Sequence, residues 1–254
     1  MVARIDRTGE VNYNNFGSKM EIIEYRNKRS IDIYFEEYNW ILYNRCYDNF
    51  KKGTIKCPYE PRVYGKGYLG EGKYVAKINK KSTKEYCDWV GMLKRCYDIE
   101  RHKKYPTYKN CEVIDEWLNF QNFARWREEN YYEINGEKMA LDKDIIYKDN
   151  KIYSPQTCVF VPERINSLFT KADAIRGNYP IGVTYHKRDK VYEAKLSHGK
   201  SRIYLGRYNT IEEAFQSYKI AKESLIKEVA DEYKLYIPQK LYEAMYRYEV
   251  EIDD

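Results

Sequence analysis

Apolar and polar residues alternate along the segment 182–208 with the two-residue period of an extended strand. Because successive side chains of a strand point to opposite faces, one face of this segment is apolar and the other is polar and basic. The residues expected on the buried face are Tyr192, Ala194, Leu196, Ile203 and Leu205. Those expected on the outer face include Glu193, Lys195, Ser197, Arg202 and Tyr204. With a turn at His198-Gly199, the pattern predicts a small antiparallel sheet of three strands.

A helix is predicted directly after this sheet. Thr210 is a good N-cap, and Glu213 three residues later completes a capping box, in which each side chain satisfies a backbone amide at the helix start. Apolar residues then recur at helical spacing at Ile211, Ala214, Phe215, Tyr218, Ala221 and Leu225. This stripe is expected to cover the apolar face of the sheet, which leaves the polar face exposed.

The segment resembles the DNA-binding domain of the Apetala-2/ethylene-response-factor family. The motifs that carry the resemblance are Gly182-Val183, Tyr192-x-Ala194-x-Leu196, Leu205-Gly206-x-Tyr208 and Thr210-x-Glu212-Glu213-Ala214 with Tyr218. The resemblance implies a sheet laid in the DNA major groove, where base edges carry a unique hydrogen-bond code. It places on the DNA-facing side Thr184, Lys195, Ser197, Arg202 and Tyr204. Plant members usually carry arginine at the positions of Thr184 and Ser197, so a different base preference is expected.

Charge favours the same surface locally more than globally. The whole chain of 254 residues carries a formal charge of only +6. Within 178–208, however, the acidic residues are only Asp189 and Glu193. Phosphate contacts are expected from Lys187, Arg188, Lys190, Lys200 and Arg207. The alternative is a solvated sheet with ordinary surface lysines.

The middle of the chain predicts two helices and then a strand–turn–strand–helix unit. The first helix carries Trp89, Met92, Leu93 and Cys96 at helical spacing, and the second carries Trp117, Phe120 and Phe123. The unit that follows consists of a strand at 141–146, a turn at Asp149-Asn150, a strand at 157–161 and a short helix at 162–166. The last 18 residues, 237–254, predict one more helix.

This middle segment, 87–166, resembles the HNH endonuclease-like proteins that are common in phages. The matching residues are Trp89, Met92, Arg95-Cys96-Tyr97, Cys111, Trp117, Phe120, Phe123, Leu141-Asp142, Tyr153, Pro155, Cys158, Phe160 and Asn166. The resemblance implies a ββα unit, and such phage proteins often carry an Apetala-2-type module behind it.

The catalytic residues implied by this resemblance are Asp142, Lys143, Asp144 and Asn166. An HNH nuclease uses a histidine to activate water, and Lys143 stands at that position. Asp142 and Asp144 would favour the charged form of this lysine, so the standard mechanism is expected to be lost. On a strand, however, Asp142 and Asp144 would share a face and could hold a divalent cation such as Mg²⁺ with Asn166. The alternative is that both aspartates are solvated or pair with lysines.

The cysteines and the hydropathy place the chain in a reducing, non-membrane setting. No CxxC pair occurs, so buried thiols are expected rather than disulfides, with a zinc on Cys96, Cys111 and Cys158 as a minor alternative. No apolar run is long enough for a membrane span or a signal peptide. The sequence therefore predicts a cytoplasmic protein, of a bacterial host cell if it is phage-encoded, with no membrane partner.

Together these features predict a multidomain α+β protein. The expected domains are a β-rich part at 1–80, a degenerate HNH-like ββα domain at 81–170, an Apetala-2-like domain at 176–236 and a C-terminal helix at 237–254. The expected function is sequence-selective binding of double-stranded DNA without standard HNH catalysis. One alternative is a metal-dependent homing-type endonuclease that uses Asp142 and Asp144. The other is a phage anti-defence protein whose partner is a host enzyme.

Overall fold

The computed structural model describes residues 5–170, 178–199, 201–252 and 254. The fold is α+β, with helices and several separate sheets. The chain divides into two compact units, Met1–Glu128 and Glu129–Asp254. The division falls inside the segment 81–170 that the sequence assigns to one domain.

The first unit begins with a four-stranded antiparallel sheet in the β-rich segment that the sequence indicates. Its strands are β1 (Val11–Tyr13), β2 (Lys19–Asn27), β3 (Ser30–Phe35) and β4 (Trp40–Arg45), paired in that order, and the short helix α1 (Tyr47–Lys51) follows. One face of the sheet is apolar: Ile22 and Ile33 are fully buried and pack in one core with Phe50 of α1. Burial of such side chains is the main stabilising contribution to this part of the fold.

The rest of the first unit is mainly helical. Its elements are β5 (Lys77–Ile78), β6 (Lys81–Ser82), α2 (Lys84–Tyr97), α3 (Ile99–Lys104), β7 (Glu112–Val113), α4 (Asp115–Leu118) and α5 (Phe120–Asn130). The apolar stripe predicted for α2 is buried at all four positions. The second predicted helix is interrupted, because Asn119 is extended and its side chain accepts a hydrogen bond from the Gln121 amide. An asparagine that bonds nearby backbone in this way competes with the helix.

The second unit contains the strand and helix elements of both candidate sites. They are β8 (Met139–Asp142), β9 (Ile152–Tyr153), β10 (Val159–Pro162), α6 (Glu163–Leu168), β11 (Val183–His186), β12 (Val191–His198), β13 (Ser201–Tyr208), α7 (Ile211–Tyr233) and α8 (Gln239–Arg247). Strands β8 and β10 pair antiparallel, with Asp142 opposite Val159, and α6 follows β10 directly. The predicted strand at 141–146 is therefore wrong in its bounds, since β8 ends at Asp142.

Helix α7 belongs to two cores of the second unit. Its first half buries Ala214, Phe215 and Tyr218 against the sheet of β11, β12 and β13. Its second half packs with Ile165 of α6 and Leu241 of α8. The helix begins with the capping box that the sequence indicates, since Thr210 accepts from the Glu213 amide and the Glu213 carboxylate accepts from the Thr210 amide. One 23-residue helix thus supports both the sheet and the ββα unit.

Within the described part of the chain, none of the helices combines the length and the apolar character that a membrane span requires.

Candidate nucleic-acid interface

The polar face of the sheet formed by β11, β12 and β13 is the first candidate site. The three strands pair antiparallel in chain order, and residues directly opposite one another in such a sheet share a face. The outward rows are Thr184 opposite Glu193 opposite Arg207, then Lys195 opposite Tyr204, then Ser197 opposite Arg202. We call this set of seven residues the outward face. It brings together the five residues that the sequence places on the DNA-facing side.

The opposite face of the sheet is the apolar core. Val183, Ala194 and Leu196 are buried there against α7. One expectation for this face is wrong, because Ile203 is 47% exposed. Ile203 pairs with Leu196, but it lies two residues from the start of β13 and outside the apolar cluster that packs on the helix.

A β-bulge in β13 determines which side chains reach the outward face. Ala194 lies opposite Gly206 and Lys195 lies opposite Tyr204, so Leu205 is an extra residue on this strand. Gly206 has φ +138, a backbone conformation that L side chains rarely adopt and that glycine tolerates. Simple alternation would put Arg207 on the same side as Leu205. The bulge instead brings Arg207 opposite Glu193.

Four residues of the outward face are open to solvent. Thr184, Ser197 and Arg202 are exposed, and Tyr204 is 55% exposed. Among the described residues, Arg202 has no hydrogen-bond or ion-pair partner, so its five N–H donors are available to a ligand. Nothing in the packing of this unit uses these side chains.

More cations lie in the turn between β11 and β12. Lys187, Arg188 and Lys190 are all exposed, and the Arg188 side chain is 91% exposed. Arg188 makes only a loose ion pair, with 3.7 Å between its Nε and Asp189 Oδ1. Lys200, the remaining expected phosphate contact, lies outside the described residues.

The other two cations of the outward face bond to the protein's own carboxylates. Lys195 Nζ donates to Glu193 Oε2 at 2.6 Å, and Arg207 Nε donates to Glu193 Oε1 at 3.0 Å. Arg207 Nη1 also donates to Asp189 Oδ2 at 2.7 Å. Glu193 is only 8% exposed, and its pKa is lowered first by the Lys195 hydrogen bond. Sequence reasoning gave Glu193 and Asp189 no role, because the contact of Glu193 with Arg207 depends on the bulge.

The turn after β8 is the second candidate site. Asp142 does not share a strand face with Asp144, because the strand ends at Asp142. Its Oδ1 instead accepts hydrogen bonds from the backbone amides of Asp144 and Ile145, both at 2.8 Å. A carboxylate that bonds backbone amides two and three residues ahead is a turn-stabilising arrangement. The geometric premise for a shared Mg²⁺ face of Asp142 and Asp144 is therefore absent.

Lys143, at the general-base position, is buried and occupied. Its Nζ donates to Asp144 Oδ2 at 2.9 Å and to the Asn150 carbonyl at 2.9 Å. The Asn150 side chain donates back to the Lys143 carbonyl at 2.7 Å. An amine in a salt bridge is stabilised in its charged form, which cannot accept a proton.

Two further observations concern a catalytic role of this turn. Burial, followed by repulsion from Asp144, raises the pKa of Asp142 to about 6. Asn166 lies on α6 and is half-buried. In the ranges that the structure describes, no three His, Cys, Asp or Glu side chains come together as a group that could hold a metal ion. Cys96, Cys111 and Cys158 are each buried, as expected for packed thiols.

Comparison with known proteins adds no relative. No protein-family model, no curated protein and no solved structure matches this chain. The functional argument therefore depends on the geometry of the two candidate sites.

Proposed function

We propose that the protein binds double-stranded DNA in a sequence-selective way through the outward face. The observation that carries this proposal is the exposure of Thr184, Ser197, Arg202 and Tyr204 in neighbouring rows of one sheet, with no structural use for any of them. Polar and cationic side chains that rise from a rigid sheet suit a target with phosphates and base edges. The major groove is about 12 Å wide, which admits strands of a small sheet.

The turn between β11 and β12 supplies the phosphate contacts in this proposal. Lys187, Arg188 and Lys190 project from one edge of the sheet, as a cation group would if the strands lay in the groove and the turn met a phosphate backbone. Lys200 would add a contact at the other end of β12. The arrangement of a three-stranded sheet on one helix agrees with the Apetala-2-like fold that the motifs imply.

The ββα unit of β8, β10 and α6 agrees in element order with the HNH-like origin. Catalysis by that unit is disfavoured in this proposal, because Lys143 and Asp142 spend their bonding capacity on the turn itself. The unit then serves as a folded support for α7 and not as a nuclease centre.

The test measures the binding of labelled duplex oligonucleotides by fluorescence anisotropy over a range of salt concentrations. Affinity should fall with salt, with a log–log slope of about −0.9 per phosphate neutralised. Replacing Arg202 by alanine should weaken binding, whereas the control Lys227→Ala should not. Lys227 is an exposed cation 16 residues beyond the first residue of α7, about 24 Å along the helix. Failure to bind any duplex in dilute buffer would reject the proposal.

The same protein is then incubated with plasmid and Mg²⁺ or Mn²⁺. Intact plasmid agrees with DNA binding alone. Cleavage that disappears in Asp142→Ala would establish the endonuclease alternative instead. A stable complex with a host protein, formed without any duplex binding, would favour the anti-defence alternative.

A further inference from the structure

Arg207 differs from the other arginines of the outward face in how firmly it is fixed. Its Nε and Nη1 donate to two different carboxylates, Glu193 and Asp189, at 3.0 and 2.7 Å. A planar guanidinium bonded on two sides cannot rotate freely. By contrast, Arg202 has no partner in the described chain, so its side chain keeps its rotamer freedom in the unbound protein.

Fixing Arg207 leaves donors for a ligand. A guanidinium has five N–H donors, and two of them are used, so three remain, two of which are on Nη2. The side chain of Arg207 is 48% exposed, on the same face as Tyr204 and Arg202. The remaining donors therefore belong to a partly exposed group whose position is set before DNA arrives.

We infer that Arg207 is the residue of this sheet that recognises a guanine, and that Glu193 and Asp189 are its positioning residues. The inference rests on the proposed DNA binding and assigns the chemistry of one base in the target. Arginine bonded to guanine O6 and N7 is the commonest specific contact in the major groove. It requires two donors at fixed positions, which a buttressed guanidinium provides with less loss of conformational entropy than a free one.

The buried carboxylate of Glu193 is the second observation for this role. A carboxylate at the centre of a surface that meets phosphates weakens general affinity through repulsion. Glu193 is nonetheless at the middle strand of the outward face, where it bonds Lys195 and Arg207 together. Its placement improves general attraction to DNA in no way, but it does fix the two cations. A discriminating contact benefits from that arrangement, and a phosphate contact does not need it.

The inference changes the roles expected from the sequence. Arg207, expected to contact phosphate, becomes the base-specific residue. Arg202, expected to contact bases, becomes a mobile cation that strengthens binding to any duplex.

The experiment selects bound duplexes from a library with a randomised core, in parallel for the unmodified protein, Arg207→Lys, Glu193→Gln and Arg188→Ala. The unmodified protein should select a motif with a guanine whose replacement lowers affinity about 5- to 150-fold. Arg207→Lys keeps the charge but should lose that preference. Glu193→Gln should lose it at the same position, while its affinity for non-selected duplex stays equal or rises. Arg188→Ala should retain the motif and bind all sequences more weakly.

Two outcomes would overturn the inference while the proposed function survives. One is a motif with no guanine preference, and the other is an unchanged motif in both Arg207→Lys and Glu193→Gln. Absence of duplex binding by the unmodified protein would instead reject the proposed function, and the inference with it. Asp189→Asn, in an exposed turn, replaces Glu193→Gln if thermal unfolding shows that the latter is misfolded, and it should lower discrimination at the same guanine. A purely structural role of the carboxylates would weaken all sequences equally, which also contradicts the inference.

Discussion

The turn after β8 and the outward face lie in the same compact unit and are built from the same residue types, but they use their charges in opposite ways. In the turn, Lys143 is buried and both of its hydrogen bonds go to the turn itself. On the outward face, Arg202 is exposed and bonds nothing in the described chain. A charged group that is already paired has little left to offer a ligand, whereas an exposed unpaired one offers all its donors.

Glu193 and Arg207 fall between these two extremes. Their bonds are internal, as in the turn, but Arg207 remains partly exposed and keeps unused donors. The comparison therefore separates three states of a charged side chain, which are buried and used, exposed and fixed, and exposed and free. We expect them to contribute to stability, to specificity and to general affinity, in that order.

The largest effect is expected for Lys143→Ala. The substitution removes a buried aliphatic stem and leaves the Asn150 carbonyl and the Asp144 carboxylate without their donor. The free energy of unfolding should fall by about 3 kcal/mol, measured by urea titration. Lys227→Ala, the exposed control, should change it by less than about 0.5 kcal/mol. If Lys143→Ala were as stable as the unmodified protein, the turn would not depend on this lysine and a functional role would regain weight.

The next effect concerns the pH dependence of stability at Asp142. Its pKa is raised from 3.8 to about 6 in the folded protein, so between these values the folded state binds the proton and the unfolded state does not. Stability should therefore fall as pH rises from about 4 to 6 and then level off. Asp142→Asn keeps the acceptor for both backbone amides and removes the charge. It should stabilise the protein at pH 7 by about 2 kcal/mol and have no effect at pH 4.

Thermal or urea unfolding of both proteins at pH 4, 5, 6 and 7 measures this difference. Destabilisation by Asp142→Asn at pH 7 would show that the carboxylate is favourably bonded and would contradict the burial argument.

The sequence predicts the parts of this molecule that depend on local periodicity. The four buried positions of α2, the Thr210–Glu213 capping box and the alternation of β12 are all found, because each is determined within one element. The pairing of Glu193 with Arg207 depends on one extra residue in β13, and a period-two pattern cannot locate it. The one local signal was Gly206, which permits the backbone of the bulge. For the same reason the end of β8 was misplaced, since the side chain of Asp142 turns the chain where apolar residues continue.

A moderate effect is expected for Arg202→Ala. The loss of an exposed cation without internal partners should lower affinity for every duplex by about fivefold, or about 1 kcal/mol, and should leave stability unchanged. Parallel titrations with the selected duplex and with a scrambled one measure this effect. A loss confined to the selected duplex would assign base recognition to Arg202 and break the distinction between the fixed and the free arginine.

The smallest effect is expected for Arg188→Ala, in the turn between β11 and β12. Arg188 is almost fully exposed and its ion pair with Asp189 spans 3.7 Å, so its removal costs the folded protein very little. Affinity should fall about twofold at moderate salt, and the log–log salt slope should become shallower by about one phosphate. The slope is the informative quantity, because it changes only if the side chain displaces a counterion from DNA. An unchanged slope together with reduced affinity would mean that Arg188 acts through Asp189 on Arg207, and the turn would then belong with the fixed cations.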